Sequence, residues 1–350
     1  LRYIDRWGLE RYRASAIPGL MGPATAEVFE QVFNQIQASA SQNFSREDSG
    51  REDSGHEDSG RERPLAQQPL FVYFSGHGYL NETNADNNGL ILWGEDVIDV
   101  QSLAIRLDAL PRSKPVVVMM AQCFSGSFAN LIYAGGDPEA PVALHSRCGF
   151  FATTQDLPSV GCTPEVDEAD YRDYSSSFFA GLTGIDRLGQ PVVSADYDGN
   201  GKISYNEAHA FAKIDEKTSD RPVSSLEVWL QRQLSSAQVE AITQRSSPQQ
   251  LLAGARPERG AVIRSLGDRL GFNLQQSFID NVDRLGLAEV IETAEGVGDS
   301  DIELQAANLE RLRMELLDIA AEQWIQRSGT SQQRQILQRL HTCESQTPNP

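Results

Sequence analysis

A cysteine and a histidine each follow an apolar run that has the character of a buried strand. Cys123 comes after KPVVVMMAQ, and His77 comes after PLFVYFSG. A thiol is a weak nucleophile at its free pKa of about 8.5, and a neighbouring imidazole raises the thiolate fraction and protonates a leaving group. If the two strands are neighbours, this pair predicts thiol catalysis, with Cys123 as nucleophile and His77 as acid and base.

Small residues flank both side chains, as the sequences SGHG and CFSG show. A residue without Cβ lets backbone N–H groups come close to a tetrahedral oxyanion. We therefore expect the N–H groups of Gly78 and Cys123 to form an oxyanion hole. A single Cys or His at a strand end is more often a packed core residue, but two such residues in Ser/Gly-rich strand exits favour an active site.

The segment DYDGNGKISYNE, residues 196–207, matches the calcium loop of an EF-hand at each position with a physical requirement. Gly201 stands at position six, where the loop must turn sharply, and the apolar Ile203 stands at position eight. The expected calcium ligands, at positions one, three, five, seven, nine and twelve, are Asp196, Asp198, Asn200, Lys202, Ser204 and Glu207. LGQPVVSA before the loop does not read as an entering helix. We expect an unpaired loop with a structural role, and a regulatory role is the alternative.

The charge of the chain limits its partners. It carries 30 Lys and Arg against 49 Asp and Glu residues, a formal net charge of −19. Such a charge repels phosphate backbones and anionic membrane surfaces, so we expect no nucleic-acid partner. No apolar run approaches the roughly 20 residues of a transmembrane helix. Cations and a protein or peptide substrate are the partners we expect.

The number of cysteines and the first residues of the sequence give information on the cellular compartment. Four cysteines, Cys123, Cys148, Cys162 and Cys343, are too few for a disulfide-built fold of this size. Cys148 and Cys162 either pair around a loop or stay as buried free thiols. The opening LRYIDRWGLERYRAS is too charged for a signal core, so the residues themselves leave two alternatives open, a processed form that has lost a leader and a fragment. A periplasmic or extracellular location is slightly favoured over the cytoplasm.

The elements around these residues predict an α/β sheet. Residues 24–42 have helical spacing, and residues 46–64, with their REDSG repeats, have nothing to bury and predict a mobile insert. Two buried strands, a third candidate at 148–154, a short strand at 89–93 and a helix at 100–110 follow. In such sheets reactive groups lie at the carboxyl ends of the strands.

Helical patterns dominate after residue 215. They cover residues 225–234, 249–270, 274–285 and 302–325. We therefore predict a catalytic domain at 1–214 and an all-helical C-terminal region at 215–350, which packs on itself or on a partner protein.

Here the chain resembles a family. FVYFSGHG and VVVMMAQCFSGSF resemble the histidine and cysteine motifs of the cysteine peptidase clan that contains caspases, metacaspases, legumains and gingipains. His77 and Cys123 lie 46 positions apart, near the caspase interval of about 50. The resemblance spans roughly residues 24–185. It implies a caspase-like α/β fold with a mostly parallel sheet flanked by helices, and endopeptidase activity through a Cys–His dyad.

Departures from the clan leave specificity open. Ala121 stands where metacaspases place an aspartate, and Phe124 stands where legumains place a glutamate. Resemblance to metacaspases implies that Ser75 lines the substrate pocket, and Asp156 beyond the third strand is a second candidate. The clan's first strand should precede the opening helix, but residues 1–23 offer only a weak YRASAI, so we expect a missing N-terminal piece.

Two other functions stay open at this point. One is a catalytically silent relative that serves as a calcium-dependent scaffold through its helical tail. The other is a thiol enzyme that is not a peptidase, such as an acyltransferase or amidase.

Overall fold

A computed structural model describes residues 2–4, 10–12, 18–47, 69–112, 114–160, 173–293 and 300–348. Its strands are β1 (Arg2–Ile4), β2 (Glu10–Tyr12), β3 (Leu70–Phe74), β4 (Gly78–Tyr79), β5 (Gly89–Ile91), β6 (Val97–Asp99), β7 (Val116–Met120), β8 (Arg147–Phe151) and β9 (Val223–Ser224). Its α-helices are α1 (Ala26–Glu47), α2 (Val100–Asp108), α3 (Tyr174–Thr183), α4 (Tyr205–Asp215), α5 (Ser225–Gln231), α6 (Ser236–Arg245), α7 (Pro248–Leu252), α8 (Pro257–Leu270), α9 (Phe278–Leu285), α10 (Ala288–Thr293), α11 (Asp301–Ser328) and α12 (Ser331–Glu344).

The central sheet is mainly parallel. Within the described ranges its strand order is β3-β7-β8-β9, with β3, β7 and β8 parallel and β9 antiparallel to β8. All five residues of β7 are buried, as the unbroken apolar run VVVMM predicts for a strand covered on both faces. Strands are confirmed at both apolar runs and at the third candidate, but of the two apolar runs only β7 is buried as predicted. Each residue of β3 is half-buried or exposed, because β3 lies at the edge of the described sheet.

Helices cover both faces of this sheet. Successive β7 side chains point to opposite faces, as pleating requires. Val118 packs in one core with Phe33 of α1 and Leu107 of α2. Met119 packs in a second core with Phe178 of α3, together with residues of α4 and α12. The predicted α/β class is therefore confirmed, with helices on each side of the parallel strands.

The short strand predicted at 89–93 forms β5, but it does not join the central sheet. It pairs with β4 and β6 in a small antiparallel sheet just beyond the end of β3. Its Ile91 N–H donates to the His77 carbonyl at 2.9 Å. The small sheet thereby fixes the backbone of the predicted catalytic histidine.

The C-terminal region is largely helical, with two departures from prediction. The single helix expected at 249–270 is two helices, because Pro257 begins α8 at a position where a missing N–H costs nothing. The strand β9 was not expected in an all-helical region. Met314 of α11 and Val223 of β9 belong to the same core as β7, so this region packs on the sheet. A partner protein for these helices stays a prediction.

A disulfide links Cys148 of β8 to Cys343 of α12, with an S–S distance of 2.05 Å. Both alternatives considered for Cys148, pairing with Cys162 and a free thiol, are therefore wrong. The bonded residues lie 195 positions apart, and only the packing of α12 against β8 brings them together. Cys162 lies outside the described residues.

Parts of some predictions fall on residues that are not described. The helix predicted at 24–42 is confirmed as α1, which runs on to Glu47 at the start of the REDSG insert. Residues 48–64 of that insert, and most of the weak N-terminal strand, lie outside the described ranges. A search of the described residues finds no helix with the length and apolar character to cross a membrane.

Candidate active site and cation loop

His77 and Cys123 occupy equivalent places on neighbouring strands. Phe74 and Met120 are register partners at the ends of β3 and β7, and each of the two candidate residues lies three positions further on. Pairing continues past the strands, because the Ala121 N–H donates to the Phe74 carbonyl at 2.9 Å. The expectation that both strands are neighbours is confirmed, and both residues leave the sheet at one edge.

The backbone of Gly78 lies directly against that of Cys123. A Cβ built on Gly78 would lie 2.1 Å from the Cys123 carbonyl oxygen and 3.2 Å from its Cα. This approach explains why the histidine must be followed by glycine. The N–H of Cys123 donates to no acceptor among the described residues. An oxyanion donor must be unoccupied in this way. The two residues predicted for the oxyanion hole are thus adjacent.

A sharp turn follows the thiol. Phe124 has φ 59° and ψ 19°, in the left-handed region, which costs a side-chain-bearing residue roughly 1–2 kcal/mol. Its N–H donates to the Leu157 carbonyl at 2.9 Å, and its carbonyl accepts from the Ser127 hydroxyl at 3.0 Å. Strain of this kind is found at functional sites, where the surroundings hold the conformation. The turn lifts Cys123 out of the sheet.

Asn88 joins three loops of the site, a role that the sequence did not reveal. It is fully buried, its amide donates to the Gln155 carbonyl at 2.8 Å, and its oxygen accepts from the Asn81 N–H at 2.9 Å. Its amide also donates to the Phe124 carbonyl at 3.5 Å, so Asn88 links the loop after His77, the Cys123 turn and the segment after β8. The only signal in the sequence is an Asn-rich loop, NETNADNNG, which also fits a surface turn.

The segment after β8 also contacts the thiol. The Cys123 side chain is half-buried, and its Sγ lies 3.3 Å from the Ser159 nitrogen and 3.6 Å from the Ser159 carbonyl oxygen. The Ser159 hydroxyl in turn donates to a carboxylate oxygen of Asp220 at 2.8 Å. Neither residue was singled out from the sequence, because the contact of Ser159 with Cys123 and that of Asp220 with Ser159 arise only from the path of the chain in the fold.

Ser75 and Asp156, the two candidates for substrate binding, are both exposed at this edge of the sheet. Ser75 follows directly on β3. Asp156 accepts a hydrogen bond from the Thr154 hydroxyl at 2.6 Å. The backbone of Thr154 and Gln155 packs tightly on the Cys123 turn, since a Cβ on Gly126 would lie 2.8 Å from each. Both side chains are therefore accessible to solvent, and their roles in substrate binding stay predictions.

The predicted calcium loop folds so that its acidic side chains converge. One carboxylate oxygen each of Asp196, Asp198 and Glu207 lies within 4.8 Å of the others. The N–H groups of Asn200 and Gly201 donate to Asp196 at 3.0 and 2.9 Å. Gly199 and Gly201 both have positive φ, +74° and +80°. Carboxylate oxygens in a tight, glycine-turned loop are the donor set that Ca²⁺ prefers.

The remaining predicted ligands lie in the same loop with other contacts. The Asn200 amide donates to Asp198 at 2.7 Å, and its oxygen accepts from the Lys202 N–H at 2.8 Å. The Ser204 hydroxyl donates to Glu207 at 2.5 Å. Asn200 and Ser204 thus each contact one of the three carboxylates, and a cation would compete with these internal bonds.

As expected, no helix leads directly into the loop among the residues described before it. The helix α3 ends at Thr183, and the segment that follows makes an isolated bridge between Ile185 and Pro191. The helix α4 begins immediately after Ser204, with Glu207 in its first turn. A Cβ on Gly181 of α3 would lie 2.8 Å from Phe211, so α4 packs tightly on α3. The loop is therefore anchored through its exiting helix.

A second acidic cluster, of Glu227, Glu315 and Asp318, is fully buried between helices. Part of its negative charge is offset, because the Lys213 ammonium lies 2.5 Å from Glu227 and 2.8 Å from Glu315. Burial alone would lower the pKa of Lys213, but these carboxylates raise it. Arg259 adds a second cation, 3.2 Å from Glu315. The three carboxylates could hold a metal ion, but such an ion would compete with the Lys213 and Arg259 cations that already contact them.

No known family model matches this chain, and the search of curated proteins also returned no match. The function must therefore be inferred from the positions and contacts of the residues themselves.

Proposed function

We propose that this chain is a cysteine endopeptidase of the caspase-like kind that forms an acyl-enzyme on Cys123. One observation carries the proposal. His77 and Cys123 leave neighbouring parallel strands at the same offset from register-paired residues, and Gly78 lies against the Cys123 backbone. A histidine, a thiol and two backbone N–H groups at one sheet edge are the parts that acyl transfer needs.

Each group then has a defined step. His77 accepts the thiol proton, and the Cys123 sulfur forms a bond to the scissile carbonyl carbon. The N–H groups of Gly78 and Cys123 stabilise the negative oxygen of the tetrahedral intermediate. His77 returns the proton to the leaving amine as the C–N bond breaks. It then takes a proton from water, whose oxygen attacks the thioester carbon. The C–S bond breaks, the acid is released, and His77 returns the proton to the sulfur.

The loop of residues 196–207 is proposed to bind Ca²⁺. Asp196, Asp198 and Glu207 would provide carboxylate oxygens, and the Asn200 side chain, the Lys202 carbonyl and Ser204 would complete the set. Calcium would contribute positive charge that relieves the repulsion of converging carboxylates. The loop would thereby anchor α4, which packs in the same core as Val117 and Met119 of β7. Its role in this proposal is structural.

The disulfide supports an oxidising compartment for this peptidase. Disulfides persist in periplasmic and extracellular proteins and are rare in the cytosol. The link between Cys148 and Cys343 is buried in the core, where Cys343 is 1% exposed. We therefore propose a periplasmic or extracellular site of action.

Labelling with an electrophilic acyl probe tests the proposal. We expect the wild-type protein to be labelled at Cys123, and we expect no labelling at that site in Cys123→Ala. His77→Ala should reduce the labelling rate by about 100-fold, as the loss of a general base does. A peptide library incubated with the wild-type protein should be cleaved, and the Cys123→Ala protein is the matched control.

The outcomes separate the three functions. Labelling with cleavage supports the peptidase. Labelling without cleavage of any peptide favours an acyltransferase or amidase. No labelling of a folded wild-type protein overturns thiol catalysis and leaves the calcium-binding scaffold.

A further inference from the structure

The short segment Ser159–Val160 fixes one side of the Cys123 thiol. The Ser159 N–H points to Sγ over a nitrogen-to-sulfur distance of 3.3 Å. The Ser159 carbonyl oxygen, which favours the neutral thiol, lies farther from Sγ, at 3.6 Å. The Phe124 N–H donates to the Leu157 carbonyl two residues earlier, so the segment is bound to the turn beside the thiol as well. An N–H donated to sulfur stabilises the thiolate relative to the thiol, because hydrogen bonding to the charged form favours it.

Asp220 holds this segment in place. One of its carboxylate oxygens accepts from the Ser159 hydroxyl at 2.8 Å, and the other accepts from the Val160 N–H at 2.9 Å. Two bonds to adjacent residues fix both the position and the direction of the peptide between them. Asp220 is 1% exposed, so water does not replace either bond.

The C-terminal half of the chain positions Asp220 itself. Arg311 of α11 is 1% exposed and donates to the Asp220 carbonyl at 2.8 Å and to the Thr218 carbonyl at 2.6 Å. It also donates to the Glu216 carbonyl at 3.1 Å. The Thr218 hydroxyl donates to the Glu216 carboxylate at 2.8 Å and closes the loop. Three carbonyls on one buried guanidinium make the 216–220 turn rigid.

The carboxyl of Asp220 lies in a demanding environment. Burial raises its pKa to about 6, although the bonds from Val160 and Ser159 and the charge of Arg311 act against that rise. Burying a carboxyl costs free energy unless hydrogen bonds compensate for the lost water. The segment Ser159–Val160, which Asp220 holds, contacts the Cys123 sulfur through Ser159.

We propose that Asp220 is a positioning residue for the Cys123 thiolate and acts through the Ser159 N–H. The proposal rests on the proposed thiol chemistry and adds a residue outside the Cys–His dyad. Asp220 does not touch the substrate. It aims a backbone donor at sulfur, and it connects the nucleophile with the helix α11 through Arg311.

The test measures the thiol directly and does not depend on peptide cleavage. The rate at which iodoacetamide alkylates Cys123 is measured against pH in the full-length chain, with modification at that residue read by mass spectrometry. We compare wild type with Asp220→Ala, which loses both bonds, and with Asp220→Asn, which keeps an acceptor oxygen. Asp268→Asn removes the same charge from an exposed position on α8 and is the matched control.

In Asp220→Ala we expect the pH midpoint of alkylation to rise by about one unit, with about ten-fold slower reaction at pH values below the midpoint. Asp220→Asn should show a smaller rise, and Asp268→Asn none. Ser159→Ala removes one of the two bonds and is the milder variant if Asp220→Ala does not fold. It should also raise the midpoint.

Two results would overturn the proposal. An unchanged alkylation profile in folded Asp220→Ala and Ser159→Ala would mean that the segment does not stabilise the thiolate. Faster alkylation in these variants would mean that the segment shields the thiol or that the Asp220 charge repels the thiolate. If the midpoint shifts as expected while no peptide is cleaved by wild type, the positioning role stands and the peptidase function fails.

Discussion

Gly78 and Cys123 are in backbone contact, so close that a methyl group on Gly78 would meet the Cys123 carbonyl oxygen at 2.1 Å. This contact links the loop that carries His77 to the turn that carries the thiol. The two loops belong to different strands, and neither can shift alone. The residue after the histidine therefore has a steric role, in addition to any role as an oxyanion donor.

Gly78→Ala should inactivate the site without unfolding the protein. The added Cβ must push the Cys123 carbonyl aside, which displaces both oxyanion donors, and the loss of one such donor costs about 100-fold or more. Acyl-probe labelling of Cys123 measures the effect. Gly267→Ala in α8 is the control, because there the nearest contact is the end of the Leu274 side chain at 3.1 Å. Wild-type labelling of Gly78→Ala would show that the two backbones can separate freely.

The apolar strand runs were predictable from sequence because their residues carry the signal themselves. VVVMM has no polar residue, which is typical of a strand buried on both faces. The run LFVYF gave the strand β3 but not its burial, because β3 lies at the edge of the described sheet. The positions of His77 and Cys123 just beyond the strand ends were predicted from the same two apolar runs. The adjacency of the two strands was an expectation of the fold, and the register of Phe74 with Met120 is what confirms it.

The residues that the sequence did not reveal act through distant contacts. Asn88, Ser159 and Asp220 are common polar residues in loops, and nothing in their local pattern marks them. Arg311 meets the Asp220 turn from 91 positions away, and Cys343 meets Cys148 from 195 positions away. Periodicity and spacing describe neighbours along the chain, so contacts of this range lie beyond them. The proposed calcium loop is the opposite case, since its predicted ligands lie within twelve consecutive residues.

Calcium should stabilise the fold through the 196–207 loop. A ligand that binds only the native state adds RT ln(1 + [L]/Kd), or about 2.7 kcal/mol at a hundred times Kd. Thermal unfolding with calcium, with magnesium and with chelator measures this. Glu207→Gln removes one of the three converging carboxylates and should abolish most of the calcium-dependent rise. Asp268→Asn, outside the loop, should keep it. An equal rise in Glu207→Gln would place the calcium effect elsewhere.

Loss of the disulfide should lower the free energy of unfolding by about 2–4 kcal/mol. The bond ties α12 to β8 and closes 195 positions of sequence, so it restricts the unfolded chain strongly. Denaturant unfolding with and without reductant measures the loss in wild type. Cys343→Ser should be as unstable as the reduced protein and insensitive to reductant. Peptide mapping that finds Cys148 joined to another cysteine would contradict the assignment.

Two buried carboxyls should make the protein less stable as pH rises towards 8. Burial raises the pKa of both Glu216 and Glu344 to about 8, from an unfolded value near 4.5. Between these values the folded state binds protons that the unfolded state does not, so folding is favoured at lower pH. Each group can remove up to about 1.4 kcal/mol per pH unit across this range.

His341 sets the lower limit of the pH range in which the effect of the two carboxyls can be measured. Burial lowers its pKa to about 4, from 6.5, so acidification below pH 6.5 destabilises the fold through this residue and opposes the carboxyls. Urea unfolding at pH 6.5 and pH 8 isolates the effect of the carboxyls, and stability should be higher at pH 6.5. Glu344→Gln can still accept from the Leu226 N–H and should flatten the slope. Glu240→Gln, exposed on α6, should leave it unchanged. A rise in stability from pH 6.5 to pH 8 would mean that these carboxyls are ionised in the folded protein.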